Sequence, residues 1–259
     1  MVAEKRGEGR MMEVFAVSDV HGHYSEMMAA LREAGFDPHN EEHFFLSCGD
    51  LFDRGSENHE VYKFVSDLPR RILLKGNHED ILSAALERTW LTDTDIDNGT
   101  ALTVRQLLGD DSVDVDGRID SVAYADKIAD LRGFTASMLD YYEIGDHIFT
   151  HGWLPVVFSG RYPSVDPNWR NASSEEWVEA RLLEWQQFYD VGAVLDGKVI
   201  VCGHRPSRMG NMFDPTREPD DSSIFYGNGM IAIDAGTVRS GRVNVLRLKL
   251  RGNKNETFC

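Results

Sequence analysis

Cysteine, long apolar runs and positive charge are all scarce in this sequence of 259 residues. The three cysteines, Cys48, Cys202 and Cys259, lack the spacing of a disulfide framework, which predicts reduced thiols in a cytoplasmic protein. No apolar run approaches the roughly 18 residues that a membrane helix needs. The N-terminal segment MVAEKRGEGRMMEVFAV is charged and has no apolar signal-peptide core, which argues against export.

The shortage of positive charge bears on possible partners. Twenty-seven Lys and Arg residues face 43 Asp and Glu residues, which gives a net charge of −16 and a pI near 4.9. Such a charge disfavours binding to nucleic acids and to anionic membranes, so we predict neither as a partner. An acidic chain that binds phosphate therefore needs a local source of positive charge.

Short apolar runs alternate with helical patterns along much of the chain. The runs are EVFAV, HFFLSC, RRILLK, HIFT, KVIVC, MIAI and VNVLRL, and most of them end in polar or glycine-rich turns. Helical spacing appears in YSEMMAALREAG, ENHEVYKFVSDL, EDILSAALERTW and SSEEWVEARLLEWQQFY. The segment YYEIGDHIFTH predicts a hairpin. This alternation predicts an α/β sandwich.

One domain is predicted, with a flexible leader and a short tail. We place the leader at residues 1–11, the domain at 12–250 and the tail at 251–259. The mostly helical pattern and acidic loops of residues 90–140 interrupt the alternation, and no Pro- or Ser-rich linker sets them apart. They therefore predict an insertion, or cap, over one edge of the main domain.

Polar side chains follow the predicted strands. They are Asp19, His21, Asp50, Asp53, Arg54, Asn77, His78, His151 and His204. Because residues beyond the carboxyl ends of strands converge on one crevice in an α/β sheet, we expect these side chains to share one site. Carboxylate, imidazole and amide ligands of this mixed kind suit Mn, Fe or Zn better than Ca. One carboxylate can also bridge two ions about 3.5–4 Å apart.

The segments SDVHGH, GDLFDRG, GNHE, HGW and GHRP resemble, in this order, the signature blocks of the PPP family of metal-dependent protein serine/threonine phosphatases. The likeness is to compact bacterial and phage members, the phage lambda protein phosphatase among them, with a weaker echo in IDAG at 233–236. The resemblance implies a calcineurin-like metallophosphoesterase fold, a β-sandwich of mixed sheets flanked by helices. It also implies two divalent metal ions as cofactors, Mn²⁺ first, with Fe or Zn left open.

The same resemblance implies a role for each polar residue. A water or hydroxide between the two metals would attack phosphorus, Arg54 would bind the phosphate oxygens, and His78, oriented by Asp53, would protonate the leaving group. Glu79 and Asp80 are expected only to favour the helix start. The implied metal ligands are Asp19, His21 and Asp50 for the first ion, with Asp50 bridging to a second ion held by Asn77, His151 and His204.

Members of the PPP family often carry a second phosphate-binding arginine between the last two histidine blocks. Arg181 is the predicted residue and Arg170 its rival, while a surface pair with a glutamate on its own helix remains the alternative for Arg181. Two positions depart from the family pattern: Trp153 follows the third histidine block, and Arg205 stands where threonine is usual. Trp153 is either a core residue or part of the mouth of the site.

Three functions are open. The first is a phosphomonoesterase that acts on phosphoserine and phosphothreonine in proteins or peptides, and on small phosphoesters or nucleotides as further substrates. The second is a symmetrical dinucleoside tetraphosphatase, a relative that typically has alanine at the position of Asp53 and aspartate at the position of Glu79. The third is a non-catalytic metal-binding scaffold, which loss of a ligand or of His78 would mark. Because Asp53, Glu79 and His78 are all present, we expect the first function.

Overall fold

The computed structural model describes residues 11–158, 163–191, 195 and 197–251. The strands in these ranges are β1 (Met11–Val17), β2 (His43–Ser47), β3 (Arg71–Leu73), β4 (Tyr141–Ile144), β5 (His147–Thr150), β6 (Val156–Phe158), β7 (Pro163–Val165), β8 (Val199–Cys202), β9 (Phe225–Gly227), β10 (Met230–Ala232) and β11 (Leu246–Arg251). The α-helices are α1 (Tyr24–Ala34), α2 (Asn58–Asp67), α3 (Asn77–Arg88), α4 (Asp93–Asn98), α5 (Thr100–Leu108), α6 (Ala125–Ala136), α7 (Ser174–Arg181), α8 (Arg208–Asn211) and α9 (Thr237–Ser240). Two 3₁₀ helices span Trp169–Asn171 and Trp185–Val191.

Two mixed β-sheets form the frame of the molecule. The first has the strand order β11-β1-β2-β3, with β1, β2 and β3 parallel and β11 antiparallel to β1. The second has the order β4-β5-β8-β10-β9, with β5, β8 and β10 parallel. Strands β4 and β5 form the predicted hairpin, and β6 pairs with β7 apart from both sheets. The predicted mixed α/β architecture is therefore confirmed.

Strand β1 shows how the sequence builds the layers. Val14 and Ala16 point between the two sheets, where they join an apolar cluster with Phe149 and Val201 of the second sheet. Phe15 packs on the opposite face, in a cluster shared with helices α1, α2, α3, α5 and α6. Both faces of the strand are buried, which explains why the sequence reads as a continuous apolar run and not as an alternating one.

Aromatic side chains cover the outer face of the second sheet. Trp153 is fully buried there and stacks on Phe188, with 4.7 Å between ring centroids. Trp153 is thus a core residue and does not reach the mouth of the site. The helical pattern of residues 173–189 breaks after Arg181, because the Trp185 indole stacks on Phe225 and donates a hydrogen bond to the Arg205 carbonyl.

Helices α4, α5 and α6 occupy most of the predicted insertion. Val104 of α5 and Leu131 of α6 belong to the same apolar cluster as β1 and α3, so this segment extends the helical layer on the first sheet. No helix within the described ranges is long and apolar enough to cross a membrane. Residues 1–10 and 252–259 lie outside the described residues. Strands β1 and β11 reach Met11 and Arg251, one residue into each predicted terminal segment, and the domain limits stay a prediction.

Candidate metal centre

The carboxyl ends of parallel strands from both sheets meet at one edge of the sandwich. At this edge lie the loops that follow β1, β2 and β3 of the first sheet and β5 and β8 of the second. A cavity of about 310 Å³ lies among these exits. Its lining includes the predicted residues Asp19, His21, Asp50, Arg54, Asn77, His78 and His204, and His151 contacts Asp50 and Asn77 from the floor.

Asp50 occupies the centre of the cluster. Its Oδ2 atom lies 3.7 Å from Nε2 of His21, and its Oδ1 atom lies 3.4 Å from Nε2 of His151. Among the residues that the structure describes, two groups of donor atoms lie close enough together to hold a metal ion, and both include Asp50. The groups are His21, Asp50 and His78, and Asp50, His151 and His204. Asp50 is therefore common to both candidate cation sites, as a carboxylate that would bridge two ions must be.

Asn77 joins the two histidines of the second group. Its side-chain oxygen lies 3.0 Å from Nε2 of His151 and 3.0 Å from Nδ1 of His204. Asn77 is the first residue of α3, directly after the exit of β3, while His151 and His204 follow β5 and β8. Three separate strand exits thus place an amide oxygen and two imidazole nitrogens around one point.

Backbone carbonyls fix how two of the imidazoles present their nitrogens. His151 donates from Nδ1 to the carbonyl of Cys48 at 2.7 Å, and His21 donates from Nδ1 to the carbonyl of Phe52 at 2.9 Å. In each ring the other nitrogen, Nε2, is left facing the carboxylates. Hydrogen bonds of this kind orient metal-ligating histidines and increase their basicity.

The protonation states of the cluster bear on cation binding. Burial opposes a charge on His151, but the Asp50 carboxylate outweighs this and raises the pKa of His151 to about 10. Burial lowers the pKa of His21 to about 3 and that of His204 to about 4, so both rings are neutral at pH 7. Burial, together with the charge of Asp50, raises the pKa of Asp19 to about 6. The neutral rings of His21 and His204 beside the buried carboxylates fit a divalent cation with mixed nitrogen and oxygen ligands, and His151 would release its proton when such a cation binds.

His78 and Asp53 form a buried pair beside the cluster. His78 donates from Nδ1 to Oδ2 of Asp53 at 2.8 Å, and Asp53 also accepts hydrogen bonds from the hydroxyls of Thr100 and Thr103. Burial opposes protonation of His78, but its hydrogen bond to Asp53 and the nearby Asp50 outweigh this and raise the pKa of His78. The Nε2 atom of His78 faces the cavity, where Arg54 donates to it at 2.9 Å.

The backbone of these loops is strained. Seven described residues other than glycine have a positive φ, a conformation that side chains with a Cβ atom rarely adopt. Six of them lie in the exits that line the site: Asp19, His21, Asp50, Asp53, Arg54 and His204. Strain of this kind persists only where the surrounding structure holds it, and it clusters at functional sites.

Glu79 has a larger part than the sequence indicated. Its buried carboxylate accepts hydrogen bonds from the backbone N–H groups of Asp50 at 2.9 Å, Leu51 at 2.9 Å and Gly76 at 2.7 Å. A Cβ atom on Gly76 would lie only 2.1 Å from Oδ1 of Asp50, so only glycine permits this close approach. Glu79 therefore ties the exit of β2 to the start of α3, which the prediction of a mere helix-start residue missed.

The predicted second phosphate ligand is not brought to the cavity. Arg181 is buried, and its guanidinium forms two hydrogen bonds with Asp80, at 2.6 and 3.1 Å, and one with Asp140 at 2.7 Å. Arg170, its rival, pairs with Glu143. The carboxylates that hold Arg181 come from α3 and from the segment before β4, and sequence spacing gives no sign of such contacts.

Three further side chains line the cavity that sequence analysis did not assign to the site. Arg205 lies beside His204 and pairs with Glu184 of the segment after α7. Asp234 follows β10, and burial, with the nearby charge of Asp19, raises its pKa well above the usual range. Arg239 of α9 completes this wall. The IDAG segment was the signal for Asp234, while nothing in the sequence pointed to Arg239.

Comparisons with known proteins agree with this geometry. The family model described as calcineurin-like phosphoesterase matches residues 12–216. Bis(5'-nucleosyl)-tetraphosphatase PrpE [asymmetrical] of Bacillus velezensis is 24% identical over 81% of this chain and 84% of that protein. Serine/threonine-protein phosphatase 2 of Salmonella typhimurium is 35% identical over 29% of this chain and 33% of that protein.

A solved structure of a candidate diadenosine tetraphosphatase shares the fold, with a TM-score of 0.53, 15% identity and 96% of each chain covered. The matched family model covers most of the chain, and the His and Asp cluster is consistent with the dinuclear centre of such hydrolases. The chain belongs to the calcineurin-like phosphoesterase family.

Proposed function

We propose that this chain is a metal-dependent phosphomonoesterase whose substrates are phosphoserine and phosphothreonine in proteins or peptides, as in the compact bacterial and phage members of the PPP family. The observation that carries the proposal is the buried pair of His78 and Asp53, joined at 2.8 Å next to the donor cluster. Such a pair supplies a positioned proton donor, which matters most for a strongly basic leaving group.

Two sets of ligands would hold the cofactors, which we propose to be Mn²⁺, with Fe or Zn as alternatives. When bound, two such ions polarise a phosphoryl oxygen and activate a water molecule. The first set is Asp19, His21 and Asp50, and the second is Asp50, Asn77, His151 and His204.

Three side chains of the chain act on the substrate and its leaving group. Arg54 lies at the cavity and presents a planar fork of N–H donors, which suits phosphate oxygens. His78 donates a proton from Nε2 to the departing oxygen. Asp53 holds the ring in the tautomer with hydrogen on Nδ1 and stabilises the positive charge of the protonated ring.

The chemistry of the leaving group favours a phosphomonoester. A serine alkoxide is very basic and needs a proton as the bond to phosphorus breaks, whereas a nucleotide phosphate is a far weaker base and needs little help. The Asp53 carboxylate accepts hydrogen bonds from His78, Thr100 and Thr103, and the Asp53 backbone N–H donates to the Thr103 hydroxyl, so the pair is held in place. An enzyme that expelled only nucleotides would have little use for this arrangement.

A dinucleoside tetraphosphatase is the second candidate. It is supported by the Bacillus velezensis relative, which aligns over most of both chains, while the alignment with the Salmonella phosphatase covers about a third of each. Arg239 also extends the positive charge of the cavity away from the metal ligands, which a longer phosphate chain could use.

The test compares substrates on one preparation of the Mn²⁺-loaded protein. We expect kcat/KM for a phosphoserine peptide to exceed that for diadenosine tetraphosphate, with p-nitrophenyl phosphate as a reference for intact chemistry. The product of the tetraphosphate reaction, analysed by chromatography, separates symmetrical from asymmetrical cleavage. A kcat/KM for the tetraphosphate far above that for every phosphopeptide tried would replace the first proposal with the second.

A further inference from the structure

A second cavity adjoins the metal-ligand cavity. Its volume is about 390 Å³, and it lies between helices α8 and α9. We call it the distal cavity and define it by Arg208, Asp220, Asp221, Ser222, Arg239 and Arg242. It shares Pro206, Gly236 and Arg239 with the metal-ligand cavity, so the two lie side by side at the start of α9.

Three arginines make the distal cavity positive. Within the described residues, the guanidinium groups of Arg208, Arg239 and Arg242 form no ion pair and no hydrogen bond, although the chain carries a net charge of −16. Seven other arginines of the described chain pair with carboxylates, Arg181 and Arg170 among them. Three unpaired guanidinium groups on one cavity are therefore a concentration of positive charge available to a ligand.

The two carboxylates of the distal cavity offset this charge only in part. Asp221 accepts from Arg217 at 2.8 Å and from the backbone N–H of Ser223 at 2.9 Å, so its charge is already compensated. Asp220 is left as the one lining carboxylate without an ion pair among the described residues. Three cations against one uncompensated carboxylate leave the cavity positive.

We propose that the distal cavity binds a second phosphoryl group of the substrate while the first lies at the metal ligands. Planar guanidinium groups recognise phosphate oxygens through paired, charge-assisted hydrogen bonds. Because Arg239 borders both cavities, one substrate molecule with two phosphoryl groups would occupy the two neighbouring cavities. The proposal rests on the phosphoesterase function proposed above and adds a preference for substrates with two or more phosphoryl groups.

The second phosphoryl group could come from a second phosphorylated residue of a peptide or from the phosphate chain of a dinucleotide. Steady-state kinetics on four substrates separates these sources. The substrates are p-nitrophenyl phosphate, a phosphoserine peptide, the same peptide with a second phosphoserine at several spacings, and diadenosine tetraphosphate.

Arg208→Gln and Arg242→Gln are the informative variants, because these residues line only the distal cavity. Each should raise KM roughly tenfold for substrates with two or more phosphoryl groups, since a charge-assisted hydrogen bond is lost. The kcat/KM for p-nitrophenyl phosphate should stay within about twofold. Arg132→Gln, on the exposed face of α6 with only a 3.7 Å contact to Glu87, is the matched charge control and should change none of these values.

The outcome identifies the source. A rise in KM confined to the doubly phosphorylated peptide indicates a phosphoprotein substrate. A rise in KM confined to diadenosine tetraphosphate indicates a nucleotide. The proposal is overturned if Arg208→Gln and Arg242→Gln leave KM unchanged for every substrate with two phosphoryl groups. It is also overturned if kcat/KM for p-nitrophenyl phosphate falls as much, or if Arg132→Gln has the same effect. Fluorescence anisotropy with a labelled doubly phosphorylated peptide and with a labelled nucleotide measures binding to the distal cavity even if no substrate is hydrolysed. Failure of the distal-cavity proposal can therefore be told apart from failure of the proposed phosphoesterase function.

Discussion

Replacement of His78 by asparagine tests whether this residue protonates the leaving group. The ring lies in a buried position, with Nδ1 bonded to Asp53 and Nε2 facing the cavity. An asparagine side chain is polar and smaller, so it fits the site without burying a new charge. It cannot, however, deliver a proton to a departing alkoxide.

The size of the loss should depend on the leaving group. A positioned general acid contributes about 10²–10⁴-fold, which corresponds to roughly 3–5 kcal/mol of barrier. We expect a fall in kcat of this size on a phosphoserine peptide. The nitrophenolate of p-nitrophenyl phosphate is a much weaker base, so His78→Asn should retain far more activity on that substrate.

Asp53→Asn should show the same selectivity in a milder form. The carboxylate no longer stabilises the protonated ring, and the loss of a charge-assisted hydrogen bond corresponds to roughly 1.5–3 kcal/mol. The hydroxyls of Thr100 and Thr103 both donate to the Asp53 carboxylate, and an asparagine offers them only one oxygen. Thermal denaturation is therefore needed to show that the variant is folded. Thr100→Ser, which keeps the hydroxyl donor, is the matched control.

Steady-state kinetics on both substrates and metal analysis of each variant complete the assay. Nε2 of His78 lies 4.0 Å from Oδ2 of Asp50, and one possible donor group includes His78. If His78→Asn keeps its metal content and loses activity selectively on the phosphoserine peptide, proton donation by His78 is supported. Equal losses on both substrates, with the chemical step shown to limit the rate, would refute it, and loss of bound metal would make His78 a ligand.

Three further predictions concern the metals, the phosphate and the buried ion pair. Chelation should abolish hydrolysis, Mn²⁺ should restore it better than Mg²⁺, and Asp50→Asn should lose the most metal in titrations because an amide bridges two cations poorly. Arg54→Ala should weaken transition-state binding by roughly 2–4 kcal/mol, measured as kcat/KM. Arg181→Met should lower the free energy of unfolding by roughly 1.5–3 kcal/mol in urea, because the charge-assisted hydrogen bonds of a buried guanidinium to Asp80 and Asp140 are lost. Arg170→Met, at an exposed pair, should lower it by less than about 1 kcal/mol, and similar values for both would contradict this reading of Arg181.

The strands and the ligand positions could be predicted because both depend on short stretches of sequence. An apolar run followed by glycine, aspartate or histidine marks the end of a strand wherever it occurs. The parallel arrangement then brings Asp19, Asp50, Asn77, His151 and His204 to one edge. Asp19 and His204 are 185 positions apart in the sequence, yet the His204 backbone N–H donates a hydrogen bond to the Asp19 carboxylate.

The supporting contacts could not be predicted, because they depend on how distant elements pack. Thr100 and Thr103 reach Asp53 across 47 and 50 positions, from a helix in the segment that was expected to form a cap. Arg181 reaches Asp80 across 101 positions. Polar contacts of this kind leave no periodic pattern, since each requires one suitable side chain at one place. The candidate ligands could therefore be predicted from the sequence, whereas the residues that hold them in position could not.

The contacts of Arg54 link the binding of metal to the binding of phosphate. One of its terminal nitrogens donates to Nε2 of His21 at 2.8 Å, and the other donates to Nε2 of His78 at 2.9 Å. A cation held by His21 would occupy the lone pair that accepts the first hydrogen bond, and a proton on His78 would remove the second. Both N–H groups would then be available to phosphate oxygens. In an acidic chain, the guanidinium proposed to bind the substrate is thus held by two imidazoles, and a metal ion on one and a proton on the other would release it for phosphate.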